Sequence, residues 1–253
     1  MEFVKTDLFM DKNPEISNFL NEVFEDWRFS HDKFPKNVIH GEYWPIPFFG
    51  NPVTARVATI GVNPSSEEFK PLRRWPKITK ANRGAWKRRL KTYFNHELAA
   101  DDWFDPWTIG LALLDCSFEE GTAAHFDVSY RPTIAMLANQ GTDPKEFYEM
   151  AERDVQWIFK LLPLCPNLRL LLTMGPIIGE NFKPTPLLGF LGEFSQRYGY
   201  KMIRQGMFWE FWHEESRRVF VIHEADTPDE KCITCRVVKN IHAHRDELRQ
   251  RLI

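Results

Sequence analysis

Cysteine is scarce in this chain, with four residues in 253. That is too few for a disulfide framework and points to a reducing compartment. Long apolar runs are missing as well. None approaches the ~18 residues that a membrane span needs, so no membrane partner is expected. The opening residues, MEFVKTDLFMDKNPE, carry charges inside their short apolar stretch, which does not fit a secretory leader. The expectation is a cytoplasmic or nucleoid-associated protein. Repeats, low-complexity tracts and linker-like composition are lacking too, so a single domain over 1–253, with an N-terminal helical extension, is expected. No Walker motif, GxSxG or HExxH occurs, which removes support for those enzyme classes. Cys232 and Cys235 form one CxxC near His242 and His244. A tetrahedral zinc site needs four ligands, and no second pair accompanies this one. No metal and no organic cofactor is expected.

Acidic residues are absent from one stretch. Lys70 to Lys91 holds ten basic residues and no acidic one, whereas the rest of the chain has 23 basic and 35 acidic residues. A cationic segment on an otherwise acidic chain creates a directional field that favours a polyanion there. Arg73, Arg74, Lys77, Lys80, Arg83, Lys87, Arg88, Arg89 and Lys91 are therefore candidate contacts to the phosphates of DNA, although a solvated helix face carries the same pattern. Trp75 and Trp86 lie within the segment. They either stack on bases or pack beneath it.

Apolar periodicity supplies the elements. Ile16 to Trp27 has helical spacing, and YWPIPFFGNP follows as loop. Arg56 to Val62 and Leu168 to Met174 are short, apolar runs that fit buried strands. Asp143 to Glu146 forms a capping box with proline at the first helical position. Phe147, Ala151, Val155, Ile158 and Leu162 then extend one helix of about five turns. Met207 to Trp212 and Val219 to His223 can pair around a polar turn. Thr227 to Glu230 is a second capping box, opening a helix that runs to about Leu252. Strands alternating with helices predict an α/β fold with a largely parallel sheet. Ligands of such sheets sit beyond the carboxyl ends of the strands, where Asn63 and His223 both fall.

A carboxamide at a strand end can hold a water by donating and accepting hydrogen bonds at once. It is no base, so it suits a reaction whose leaving group departs largely unaided, as in glycosidic cleavage through an oxocarbenium-like state. Asn63 and Pro64 equally serve to end a strand with a turn. His223 could donate to negative charge growing on a leaving base, or simply mark a polar boundary. His125 and Asp127 could read a base edge, with Asp127 favouring an exocyclic amine, or be satisfied turn residues.

GVNPSS after a buried strand resembles motif 1 of the uracil-DNA glycosylase superfamily, especially its mismatch-specific and single-strand-selective branches. The lead-in PFFGNPVTARVATI and the stretch SYRPT at Ser129 to Thr133 are similar to that superfamily as well, and the likeness runs from about Pro45 to His223. The resemblance implies a three-layer α/β/α sandwich and monofunctional hydrolysis of the N-glycosidic bond of a flipped-out uracil or modified pyrimidine, leaving an abasic site. By motif position Asn63 would place the water, Pro64 and Ser65 would lie against the nucleotide, Phe69 would stack on the base, and His223 would open motif 2. The expected partner is single- or double-stranded DNA, bound by a monomer. Motif 2 departs from the usual His-Pro-Ser and reads His223-Glu224-Ala225-Asp226. Two other functions remain open: a non-catalytic nucleic-acid-binding protein on the same fold, and a hydrolase of free nucleotides or nucleosides.

Overall fold

The computed structural model describes residues 13–30, 43–65, 68, 75, 82–95, 102–133, 143–227 and 230–253. Helix α1 is Pro14–Phe29, begun by proline in the first turn and by Asn13, whose side chain accepts from the Ile16 amide at 3.2 Å. Its buried stripe is Ile16, Phe19, Leu20, Val23, Phe24 and Trp27. Strand β1, Phe48–Phe49, precedes β2, Val57–Gly61, in which every residue is buried. Both faces of β2 are covered, so its sequence shows an apolar run rather than alternation. Helices α2, Arg83–Lys91, and α3, Asp105–Ala112, lead to strand β3, Ala123–Asp127.

Asp143 accepts from the Lys145 amide at 3.0 Å and opens α4, Pro144–Asp154. The single five-turn helix expected from 143 onward is two helices. The Ile158 amide donates to the Val155 carbonyl, a tight three-residue turn that separates α4 from α5, Gln156–Leu161. Strand β4, Leu170–Thr173, is followed by a small antiparallel pair, β5, Pro176–Ile178, and β6, Pro184–Pro186, and by α6, Leu187–Ser195. Strands β7, Tyr200–Gln205, β8, Phe208–His213, and β9, Arg218–Glu224, form a meander. The last helices are α7, Ile233–Ala243, and α8, Arg245–Gln250. The expected cap at Thr227 to Glu230 does not open this region. Cys232 is the N-cap, and the Glu230 carboxylate instead meets Lys239 at 2.6 Å; Pro228 and Asp229 lie outside the described residues.

Among the described residues, seven strands make the main sheet in the order β1-β3-β2-β4-β9-β8-β7. The four central strands β3, β2, β4 and β9 are mutually parallel, and antiparallel strands close both edges. The molecule is thus α/β, with a mostly parallel mixed sheet and helices around it. The register sets His125, Thr59, Leu172 and His223 in one row across these four strands. Aromatic side chains supply much of the packing around α1 and α2. Trp44 and Trp86 stack at 5.5 Å between centroids, with Phe24 against both; such pairs contribute about 0.5–1.5 kcal/mol beyond area burial. Trp86 is fully buried and donates to the Pro45 carbonyl at 2.8 Å. Trp75 lies over Tyr93 at 6.4 Å. Both tryptophans of the basic segment therefore pack on the core. Among the described residues no helix is long and apolar enough to cross a membrane.

Candidate functional site

The chain leaving β2 and the chain leaving β3 run side by side beyond the carboxyl end of the sheet. Val128 donates to the Gly61 carbonyl at 3.1 Å, Ser129 to Val62 at 2.9 Å and Thr133 to Pro64 at 3.3 Å, and Ser65 bridges to Thr133. Asn63 sits between these two segments, half-buried. Its Nδ2 donates to the Thr133 hydroxyl at 2.8 Å, the Pro64 carbonyl at 3.0 Å and the Arg131 carbonyl at 3.3 Å. Carbonyl oxygens only accept, so the NH2 end must face them. The amide orientation is fixed, and Oδ1 points away from the two carbonyls. Among the described residues no donor reaches that oxygen. Pro64 is buried and Ser65 half-buried beside it; Phe69, Arg73, Arg74, Lys77 and Lys80 lie outside the described residues.

A buried ion-pair network holds the segment that grips Asn63. Arg131 is 1 % exposed, and its Nε donates to Asp154 Oδ2 at 2.8 Å. Its NH2 group donates to Asp154 Oδ1 and to Asp26 Oδ2, and Ser129 donates to Asp154 Oδ2 at 2.6 Å. Burial pushes the Asp154 carboxyl up, while Arg131 and Ser129 pull it back. Asp26 on α1 also meets Arg153 at 2.9 Å. Helices α1 and α4 are thereby tied to the loop carrying Asn63's acceptors. Sequence reasoning passed over Asp154 and Asp26. The available signal was an acid at position 154, in helical register with the apolar Phe147 and Ala151.

His125 and Asp127 lie inside the molecule, each 3 % exposed. The His125 ring is packed among Phe49, Trp103 and Phe104 at 4.9–5.8 Å. Its Nδ1 is 2.7 Å from the Thr59 hydroxyl and its Nε2 3.3 Å from Asp127 Oδ1. Both nitrogens are engaged, so the expected base-reading role of His125 is corrected: it positions Asp127. Burial pushes the Asp127 carboxyl up, with His125 opposing, and among the described residues Oδ2 has no partner. A Cβ on Gly61 would stand 2.8 Å from Asp127 Oδ1 and 2.9 Å from the His125 ring. Gly61→Ala is expected to lower stability by about 1–3 kcal/mol, read as a lower denaturation midpoint at unchanged slope.

His223 is 4 % exposed and faces α7, where its Nε2 lies 2.5 Å from Asn240 Oδ1 and its ring meets His244. The expectation that it shares a cleft with Asn63 is corrected. It lies level with Thr59, four residues before Asn63, on a strand two places away, about 10 Å across the sheet. Helix α7 covers its ring edge. Burial, aided by His244, pulls its pKa below the ordinary value of 6.5. The unfolded chain then binds the extra proton first, so the stability from neutral His223 is present above pH 6.5 and is lost as pH falls below it. Thermal scans from pH 8 to 5 should show a fall in midpoint that is shallower in His223→Gln.

Two members of the basic segment also have structural work. Arg83 lies over the Phe24 ring at 4.3 Å and approaches Glu25 at 3.4 Å. Lys87 donates to the Ser17 carbonyl, the Ser17 hydroxyl and Asn21 Oδ1 at 2.7–3.1 Å. Burial, with Arg83 and Lys91 nearby, lowers its pKa to about 8. Both anchor α2 on α1. Arg88 is exposed, and Arg89 and Lys91 are half-buried. Among the described residues no three His, Cys, Asp or Glu side chains converge as metal ligands. No family model matches the chain, and no curated protein matches it.

Proposed function

We propose that this chain is a monofunctional DNA glycosylase with a three-layer α/β/α arrangement, acting on a flipped uracil or modified pyrimidine as a monomer. The observation that carries the reading is the Asn63 carboxamide, clamped by its NH2 end at the carboxyl end of a central parallel strand, with its oxygen unclaimed among the described residues. Such an oxygen orients a water and takes no proton, which matches late attack on an oxocarbenium-like sugar. Pro64 and Ser65 lie beside the nucleotide. Burial pushes the Asp127 carboxyl up; its oxygen can accept from an exocyclic amine of the base, and His125 holds it in place. No step passes through His223.

DNA is the proposed partner through the remaining cations of the segment. Lys87→Gln should leave the salt dependence of DNA binding unchanged, whereas Arg88→Gln should reduce the slope of log K against log salt by roughly one phosphate contact. Fluorescence anisotropy over a salt series reads both.

A second reading, a non-catalytic DNA-binding protein, draws support from the enclosed His223 and from the acidic Glu224 and Asp226 that follow it. The deciding experiment incubates the protein with single-stranded and duplex oligonucleotides carrying uracil or modified pyrimidines, followed by alkaline cleavage. Breakage at the modified base by wild type, and its loss in Asn63→Ala, supports the glycosylase. Salt-sensitive binding with no breakage on any substrate supports the second reading instead.

A further inference from the structure

The two exposed-side cysteines stand where chemistry is favoured and where the reading above gives them no part. Cys232 is the N-cap of α7, an eleven-residue helix, and is exposed; Cys235 is half-buried in the first turn. Residues three apart at a helix start bring their α-carbons within the about 4.4–6.8 Å that a disulfide spans. The start of α7 thus places both thiols within one helical turn, with Cys232 on the exposed side. The other two cysteines, Cys116 and Cys165, are buried, 4 % and 0 % exposed.

We propose that Cys232 and Cys235 form a redox-active dithiol that undergoes exchange with low-molecular-weight disulfides such as glutathione disulfide. Cys232 is the attacking thiol. Helix N-terminal amides stabilise a thiolate, and they pull the Cys232 pKa below the ordinary thiol value, with Glu230 opposing. Cys235 is shifted the other way by its neighbour, with Lys239 opposing. In the first step the Cys232 thiolate attacks one sulfur of the small disulfide. The mixed disulfide forms and one small thiolate leaves. In the second step Cys235, giving up its proton to solvent, attacks the Cys232 sulfur. The Cys232–Cys235 bond forms and the second small thiolate leaves. The dithiol is oxidised by two electrons, and the small disulfide is reduced to two thiols.

The site is independent of the glycosylase reading and is tested without any activity assay. The full chain is equilibrated with reduced and oxidised glutathione at neutral pH, alkylated, digested with trypsin and mapped by mass spectrometry. Cleavage after Lys231 and Arg236 isolates both thiols on one peptide, CITCR. The expected result is loss of two hydrogens on that peptide, with Cys116 and Cys165 still alkylated as free thiols after denaturation. Cys235→Ser should trap glutathione on Cys232, while Cys232→Ser should leave Cys235 essentially free. Iodoacetamide should modify Cys232 about tenfold faster than Cys235 at pH 7. Equal adduct yields in the two variants, equal alkylation rates, or an unoxidised peptide across the glutathione series would each overturn the assignment.

Discussion

Replacing Arg131 with methionine is expected to destabilise the fold by about 3–5 kcal/mol, the usual cost of leaving one member of a buried ion pair unmatched. Asp154 is fully buried, and in this variant it retains, among the described residues, only the Ser129 hydroxyl as a hydrogen-bond partner. For a chain of this size each kcal/mol moves Tm by about 2–4 °C, so a drop on the order of 10 °C is expected by differential scanning calorimetry. The double variant Arg131→Met with Asp154→Leu should recover much of the loss, because an apolar pair of similar volume removes the stranded charge. An Arg131→Met variant with the wild-type Tm would show that the network contributes nothing. Its second consequence is geometric. The same guanidinium fixes the backbone whose Arg131 carbonyl and Thr133 hydroxyl hold the Asn63 amide, so Arg131→Met is also expected to lower base release at temperatures where it remains folded.

Asn63→Ala is expected to reduce base release by about 10²–10³-fold, the range seen when one preorganised polar group is removed from a reacting centre, with little change in Tm. Asn63→Asp tests the geometry more sharply. A carboxylate cannot donate to the Pro64 and Arg131 carbonyls, so it meets two acceptors at 3.0–3.3 Å with a third. It is expected to turn away from its clamp and to lose activity nearly as fully as alanine. Thr133→Val removes one of the three grips on Nδ2 and should give an intermediate loss. Single-turnover rates on one oligonucleotide substrate order these variants. Equal rates for wild type and Asn63→Ala would remove Asn63 from the mechanism.

The fold was legible where the sequence pattern is local. Buried runs at 57–61 and 170–173 had to be strands because each is short and apolar, and proline or glycine follows each within a few residues. The α4 cap was legible from Asp143 and Pro144. The Thr227 to Glu230 motif misled, since its glutamate has a stronger partner in Lys239 than in a backbone amide. Asn63 was legible as a strand-end amide, yet its clamp was not, because Arg131 and Thr133 lie about seventy residues away along the chain. His223 illustrates the opposite failure. A strand-end histidine looks accessible in sequence, but only the tertiary placement of α7 shows that Asn240 covers it. Charge counting also could not show that Arg83 and Lys87 make contacts to α1, since Glu25, Ser17 and Asn21 lie about sixty to seventy residues away along the chain.

The most direct measurement is mass spectrometry of free bases released from single-stranded and duplex DNA of varied modification, with wild type and Asn63→Ala run in parallel. The account predicts one class of pyrimidine in the wild-type supernatant, matched by abasic sites in the polymer and nearly absent from the variant. Release that is identical in both proteins, or no base from any DNA, would contradict it.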